Sequence, residues 1–279
     1  MINLKVILAI SKKEFINRIK NISLFILIFI LAILSFAISY FGTSPFGLTG
    51  YHGTSVTIAS LMSLSIYLIP LISFILGYDS ITGEEEDGTM PLLLSSSASR
   101  SEIYLGKFIG LTIVISIAVF VGYGISGVII LLKESISHIT GYFTFVFSSV
   151  LLGISFLSIA LLISSFTRSR TASITISVFL WFFYIFIYDL LLIGILVATK
   201  GKAMFINNAV IGGFLLVNPA DVYRLFTISF IRGLKGYYGL TSILTGKFIL
   251  NRFLLIFVYI MWIFLPMLSG ILIFYKKRY

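Results

Sequence analysis

A chain of 279 residues with 59% hydrophobic and only 11% charged side chains lies outside the range of soluble domains, where roughly a quarter of residues are charged and fewer than half are apolar. The composition is that of a membrane protein, and the absence of cysteine excludes disulfides, thiol catalysis and cysteine metal sites. The net charge of +10 sits at the ends of apolar runs, which suits membrane lipids with anionic headgroups and not nucleic acid.

The lead over residues 1–20 places Leu4, Ile7 or Leu8, Phe15 and Ile19 at helical spacings, with lysines and arginine between them. It is expected to lie along the inner membrane interface with its apolar face in the lipid, or else to be a charged flank of the first membrane helix. A helix needs about 20 mostly apolar residues to cross the hydrocarbon and satisfy its own backbone there. Six runs qualify, at 21–41, 55–78, 103–132, 142–166, 172–198 and 253–275. The first lacks an A-x-A cleavage site and follows a charged lead, so it reads as a retained helix and not as a signal peptide. Pro70 and Pro266 fall inside the second and sixth runs, where neighbouring groups can re-satisfy the carbonyl that each proline frees. The expected fold is an all-α membrane protein with a six-helix domain over 21–275, a loop at 79–102, an outer segment with short surface helices at 199–252, and a tail at 276–279.

Lys and Arg accumulate on short cytoplasmic loops. With the N-terminus inside, Lys5, Lys12, Lys13, Arg18, Lys20, Arg100, Lys107, Arg168, Arg170, Lys276, Lys277 and Arg278 all fall there. The seven bases of 199–252 lie on a segment too long for the rule to govern. Both termini and the loop at 79–102 are therefore expected in the cytoplasm.

That loop belongs to "GYDSITGEEEDGTMPLLLSSSASRSE", Gly77 to Glu102, which holds six of the ten acids of the chain: Asp79, Glu84, Glu85, Glu86, Asp87 and Glu102. Thr82 and Glu85 have the spacing of a capping box, Gly88 can end the turn that follows, and Ser99 with Glu102 repeats the box before the third run. Pro91 and the leucines Leu92, Leu93 and Leu94 come between. Composition leaves two readings open here, a protein contact with apolar anchors and orienting charges, or a solvated loop with its leucines in the interface.

Gly122, Gly124, Ser126 and Gly127 in the third run permit close helix approach and read as packing. Asp189 stands inside the fifth run, where an acid is costly; it marks either a site or a hydrogen bond to a neighbouring helix near the outer interface. In "VNPADVYRLFTISF", Asn218 and Pro219 signal a turn before a short helix over 220–231, expected at the outer surface. Asp221 and Arg224 lie on its polar side, and Tyr223, Tyr237 and Tyr238 suit the interface. His52 and His138 are isolated and the six methionines are scattered, so no metal site is expected. Intramembrane catalysis needs paired groups, and Asp189 has no acid, His or Cys beside it, so the chain is expected not to be an enzyme. No inverted repeat of a secondary transporter is visible.

The string from Gly77 to Gly110 resembles the loop between the second and third membrane helices of ABC-2 type permeases. Asp79, Gly83, Glu84, Glu86, Gly88, Thr89, Leu92 to Leu94, Arg100, Gly106 and Lys107 lie on that pattern, and "KKEF" is similar to the family's interfacial elbow helix. "FLLVNPADVYRLF" and "LWFFYIFIYDLLLIGILVA" look like the NosY-type branch, associated with copper processing and nitrous oxide reductase maturation. The resemblance implies a coupling helix at 79–102 that touches an ATPase. It also implies a second permease copy or homologous permease and an extracytoplasmic partner, for which Asn218, Pro219, Asp221, Tyr223 and Arg224 would form the surface or gate. A general ABC-2 exporter of lipid, drug or peptide is the alternative within the family. ATP and Mg would bind the ATPase, since the nearest approach here to a phosphate-binding G-x-x-x-x-G-K-[ST] loop, "TSILTGKF", lacks its first Gly and last Ser or Thr.

Overall fold

The computed structural model describes residues 3–41, 54–95, 98–133, 139–198, 208–231 and 251–277, and every regular element among them is helical. In chain order these are α1 (Leu4–Ile19), α2 (Ile22–Phe41), α3 (Thr54–Gly77), α4 (Thr82–Glu86), α5 (Met90–Leu94), α6 (Arg100–Lys133) and α7 (Ile139–Phe166). Then come α8 (Arg170–Phe182), a π-helical turn (Phe183–Ile187), α9 (Tyr188–Ala198), α10 (Asn208–Leu216), α11 (Pro219–Phe230) and α12 (Arg252–Lys276). Six helical stretches are long and apolar enough to cross a membrane, and they coincide with the six apolar runs. Pro70 and Pro266 lie inside continuous helices.

The core is built around α7, which packs against α3, α12, α6 and α11. Small residues allow this, because Ser148, Ser149, Ser155, Ser158, Ser164 and Ser165 are all buried along it and let neighbouring backbones come near. Ser158 donates to the Ile263 carbonyl of α12 at 2.6 Å, and Ser73 of α3 donates to the Gly153 carbonyl at 2.9 Å. By contrast α2, α8, α9 and α12 turn Phe29, Phe179, Leu190 and Leu272 outward, as helices surrounded by hydrocarbon would.

α1 crosses α6 over a pair of glycines four residues apart. A Cβ on Gly106 would fall 2.7 Å from the Ile10 Cβ, and one on Gly110 would fall 2.7 Å from the Ser11 carbonyl oxygen. Only a bare backbone admits that crossing. Of the glycines read as packing in α6, Gly122 faces Leu31 and Gly127 faces Tyr142, whereas Gly124 faces open space.

The fifth run forms its membrane-length helical span, with the π-helical turn inside it just before Asp189. One expectation is corrected. The helix expected at the outer surface after Pro219 is inserted among α7, α12 and the π-helical turn, with Asn218, Asp221, Tyr223 and Thr227 fully buried. Tyr223 is therefore a core residue and not an interface tyrosine; Tyr237 and Tyr238 lie outside the described residues. The cause is polar: Tyr223 Oη meets Ser149 Oγ at 3.1 Å and Thr227 Oγ1 meets Ser148 Oγ at 2.8 Å. Ser65 of α3 joins the same cluster through Tyr123 and Ser149.

Candidate functional site

At one end of the bundle α4 packs against α8 and is tied by side chains to α1, α6, α7 and the residue after α12, with α5 following it in the chain. The N-terminus of α4 is not closed by its own capping box, because Thr82 Oγ1 donates backward to the Tyr78 carbonyl. Ser164 of α7 does that work, accepting from the N–H groups of Ile81 and Thr82 at 2.9 and 3.1 Å. The other end closes at Gly88, whose φ of 65° is open to glycine without a steric cost. Gly88 N–H donates to the Glu85 carbonyl and Thr89 N–H to the Glu84 carbonyl, the paired bonds of a Schellman stop. Pro91 sits in the first turn of α5. Met90 is buried, Leu93 and Leu94 are half-buried, and Leu92 is 72% exposed. The second box does form: Ser99 N–H donates to Glu102 Oε2 at 2.7 Å and Glu102 N–H to Ser99 Oγ at 3.3 Å.

The acids of this end are matched by bases of the same chain. Asp79 pairs with Arg18 of α1 at 2.7 Å. Glu84 pairs with Lys13 of α1 at 3.3 Å and with Lys107 of α6 at 2.9 Å. Glu85 pairs with Lys277 at 2.7 Å, while Glu86 and Asp87 both face Arg170 of α8. Arg170 also donates to the Gly83 carbonyl. Arg100, at the start of α6, donates to the carbonyls of Phe274, Tyr275 and Lys277, a cation on the carbonyl end of α12.

Glu14 of α1 lies beneath this layer, between Arg18 at 3.0 Å and Lys107 at 3.3 Å. Burial pushes its carboxyl up, but Lys107 and Arg18 beside it outweigh burial and hold it below the usual carboxylate range. Burial pulls on Arg18 in the opposite sense, yet Asp79 and Glu14 keep its guanidinium firmly charged.

The six acids therefore do not stand as one free negative patch. Among Asp79, Glu84, Glu85 and Glu102 the carboxylates turn inward, and the outward-facing described residues are Glu86, Asp87, Gly88, Thr89, Pro91, Leu92, Ser95 and Ser99. Sequence reasoning named the acids but missed Lys13, Arg18, Arg170 and Lys277 as their partners. Lys107 carried a visible signal, since it is a base several residues inside an apolar run.

A second polar cluster lies toward the opposite end. Arg224 of α11 donates to both carboxylate oxygens of Asp189, at 3.0 to 3.2 Å, and to Asp221 Oδ1 at 2.7 Å. Asn218 caps α11, accepting from Ala220 N–H at 3.0 Å and donating to Asp221 Oδ2 and the Tyr184 carbonyl. Asp189, Asn218, Asp221 and Arg224 thus form one group, Pro219 supports it at the helix start, and Tyr223 points away into the hydroxyl cluster on α7. Among the described residues no three His, Asp or Glu gather as metal ligands; His52 and His138 lie outside the described residues.

A family profile described as "ABC-2 family transporter protein" matches residues 8–278. A protein named probable ABC transporter permease protein NosY from Stutzerimonas stutzeri is 34% identical over 238 residues, covering 84% of this chain and 85% of its own length. The protein of the same name from Pseudomonas aeruginosa is 35% identical over 228 residues, covering 80% and 82%.

Proposed function

The chain belongs to the ABC-2 family of transporter proteins, and from that premise we propose that it couples ATP hydrolysis on a separate ATPase to work across the cytoplasmic membrane. It is a multi-pass permease of an ABC transporter. The reading of the ATPase as separate is supported by the relatives being named as permease proteins, and the 279 residues hold no complete phosphate-binding loop. Its docking place is the α4–α5 end, on the cytoplasmic side with both termini.

The observation that carries the docking proposal is the outward set at that end. Leu92 is 72% exposed beside Pro91 and the glycine turn at Gly88, while the nearby carboxylates are engaged by this chain's own bases. An exposed leucine rimmed by polar groups is the anatomy of an anchor in a protein contact. Contact with the ATPase is thus apolar at its centre, with Glu86 and Asp87 at its rim. A second copy of the permease and a second ATPase complete the assembly. Copper processing of the NosY type is the specific task, with this chain transmitting motion to an outer partner and not binding the ion. An exporter of lipid, drug or peptide is the other task compatible with the family.

Purification of the full chain from its native membrane in mild detergent should bring down an ATPase. Leu92→Arg should reduce that recovery by about tenfold or more, as loss of an interface anchor does, while the permease still elutes as a single species. Undiminished ATPase recovery with Leu92→Arg would remove the docking assignment, and no ATPase with the natural chain would remove the coupling role.

A further inference from the structure

The carboxylates of 84–87 tie α4 to four different helices, and the ties differ in burial. Lys13 and Arg170 are 51% and 42% exposed in their pairs, where solvent screening leaves an ion pair worth little. Lys107 and Lys277 are 2% and 12% exposed, so their ties are shielded from solvent, although Lys107 keeps Glu14 as a second partner and Lys277 has Glu85 as its acid. Lys107 fixes α4 to α6 through Glu84. Lys277 does the same for α12, although it stands 192 residues from Glu85.

The corner around Lys277 is closed from three sides. Its ammonium donates to Glu85 Oε2 at 2.7 Å and to the Thr167 carbonyl after α7 at 2.6 Å. Arg100 holds the last carbonyls of α12 from α6. The end of α12 is thereby bound to α4 as well as to α6 and the end of α7, while its outward face leaves Phe257, Phe264 and Leu272 exposed. Resting on the coupling role above, we propose that Glu85 and Lys277 are positioning residues that yoke the end of α12 to α4. A push on α4 then moves α12 in the same step.

The test uses the full permease assembled with its ATPase. Glu85→Lys and Lys277→Glu should each lower kcat for ATP by about tenfold, the middle of the usual range for a pairwise coupling. KM for ATP should stay unchanged, because the nucleotide site is on the other chain, and so should the amount of ATPase bound, because Glu85 turns inward while the docking leucine Leu92 faces out; a folding defect would instead lower the yield of complex. The exchanged pair, Glu85→Lys with Lys277→Glu, should recover most of kcat. Since the natural chain has no cysteine, Glu85→Cys with Lys277→Cys can be bridged by a short bis-maleimide, and the bridged complex should keep its ATP-dependent activity. A bridged complex that loses activity, or an exchanged pair no better than the single variants, overturns the yoke while ATPase recovery stays intact. Absence of ATPase from the natural assembly overturns the coupling role and the yoke together.

Discussion

Arg224 shows how one side chain decides a local structure. It holds Asp189 across a helix contact and Asp221 one turn away on its own helix, so the group carries one negative charge more than positive. With side chains 20% and 28% exposed for Arg224 and Asp189, the acids tolerate one another only because the guanidinium lies between them. Arg224→Leu should therefore destabilise the protein by about 3 kcal/mol, toward the low end for a broken buried pair. Asp189→Asn keeps the shape, removes one of two like charges, and should cost less than about 1 kcal/mol. Thermal unfolding of both variants in detergent checks the order. Asp189 was legible in the sequence as an acid inside an apolar run. Its partner was not, because 35 residues separate them and nothing local links the two.

At the scale of elements, α1 and α11 are both held by features that spacing alone assigns weakly. α1 crosses α6 where Gly106 and Gly110 leave room for Ile10 and the Ser11 carbonyl. Gly110→Leu should push the helices apart and cost about 1–3 kcal/mol, as overpacking does. Gly124→Ala, in open space on the same helix, should be close to neutral. Unfolding midpoints and the accessibility of a cysteine placed at Ser11 would check both. α11 carries the periodicity of a surface helix, and that periodicity is correct as far as it goes. Its polar face meets hydroxyls of α7 and the carboxylate of α9 instead of water, because a membrane interior rewards any polar partner within reach. Spacing reports that a helix has two faces and not what each face will meet.

For the whole molecule, the charge of the segment from Asp79 to Glu102 is −5 and that of the rest is +15. The fold brings part of that excess to the acids: Lys13 and Arg18 from α1, Lys107 from α6, Arg170 from α8 and Lys277 after α12. Replacing Glu84, Glu85, Glu86 and Asp87 together by Lys should consequently damage the permease before any ATPase is present. The measurement is the monodisperse yield of the permease alone, which should fall severely, whereas Leu92→Arg should leave it unchanged. By itself the sequence determined that this is an all-α membrane protein, where its six long helices run and which family it belongs to. These follow from hydropathy over bilayer-length windows and from motifs read along the chain, both of which are local quantities. Tertiary structure alone decided that the acids are neutralised internally, that α11 enters the bundle, and that of the three leucines of α5 it is Leu92 that is left outside. Those outcomes depend on which distant charges and hydroxyls come within a few ångströms, and only the packed chain sets that distance.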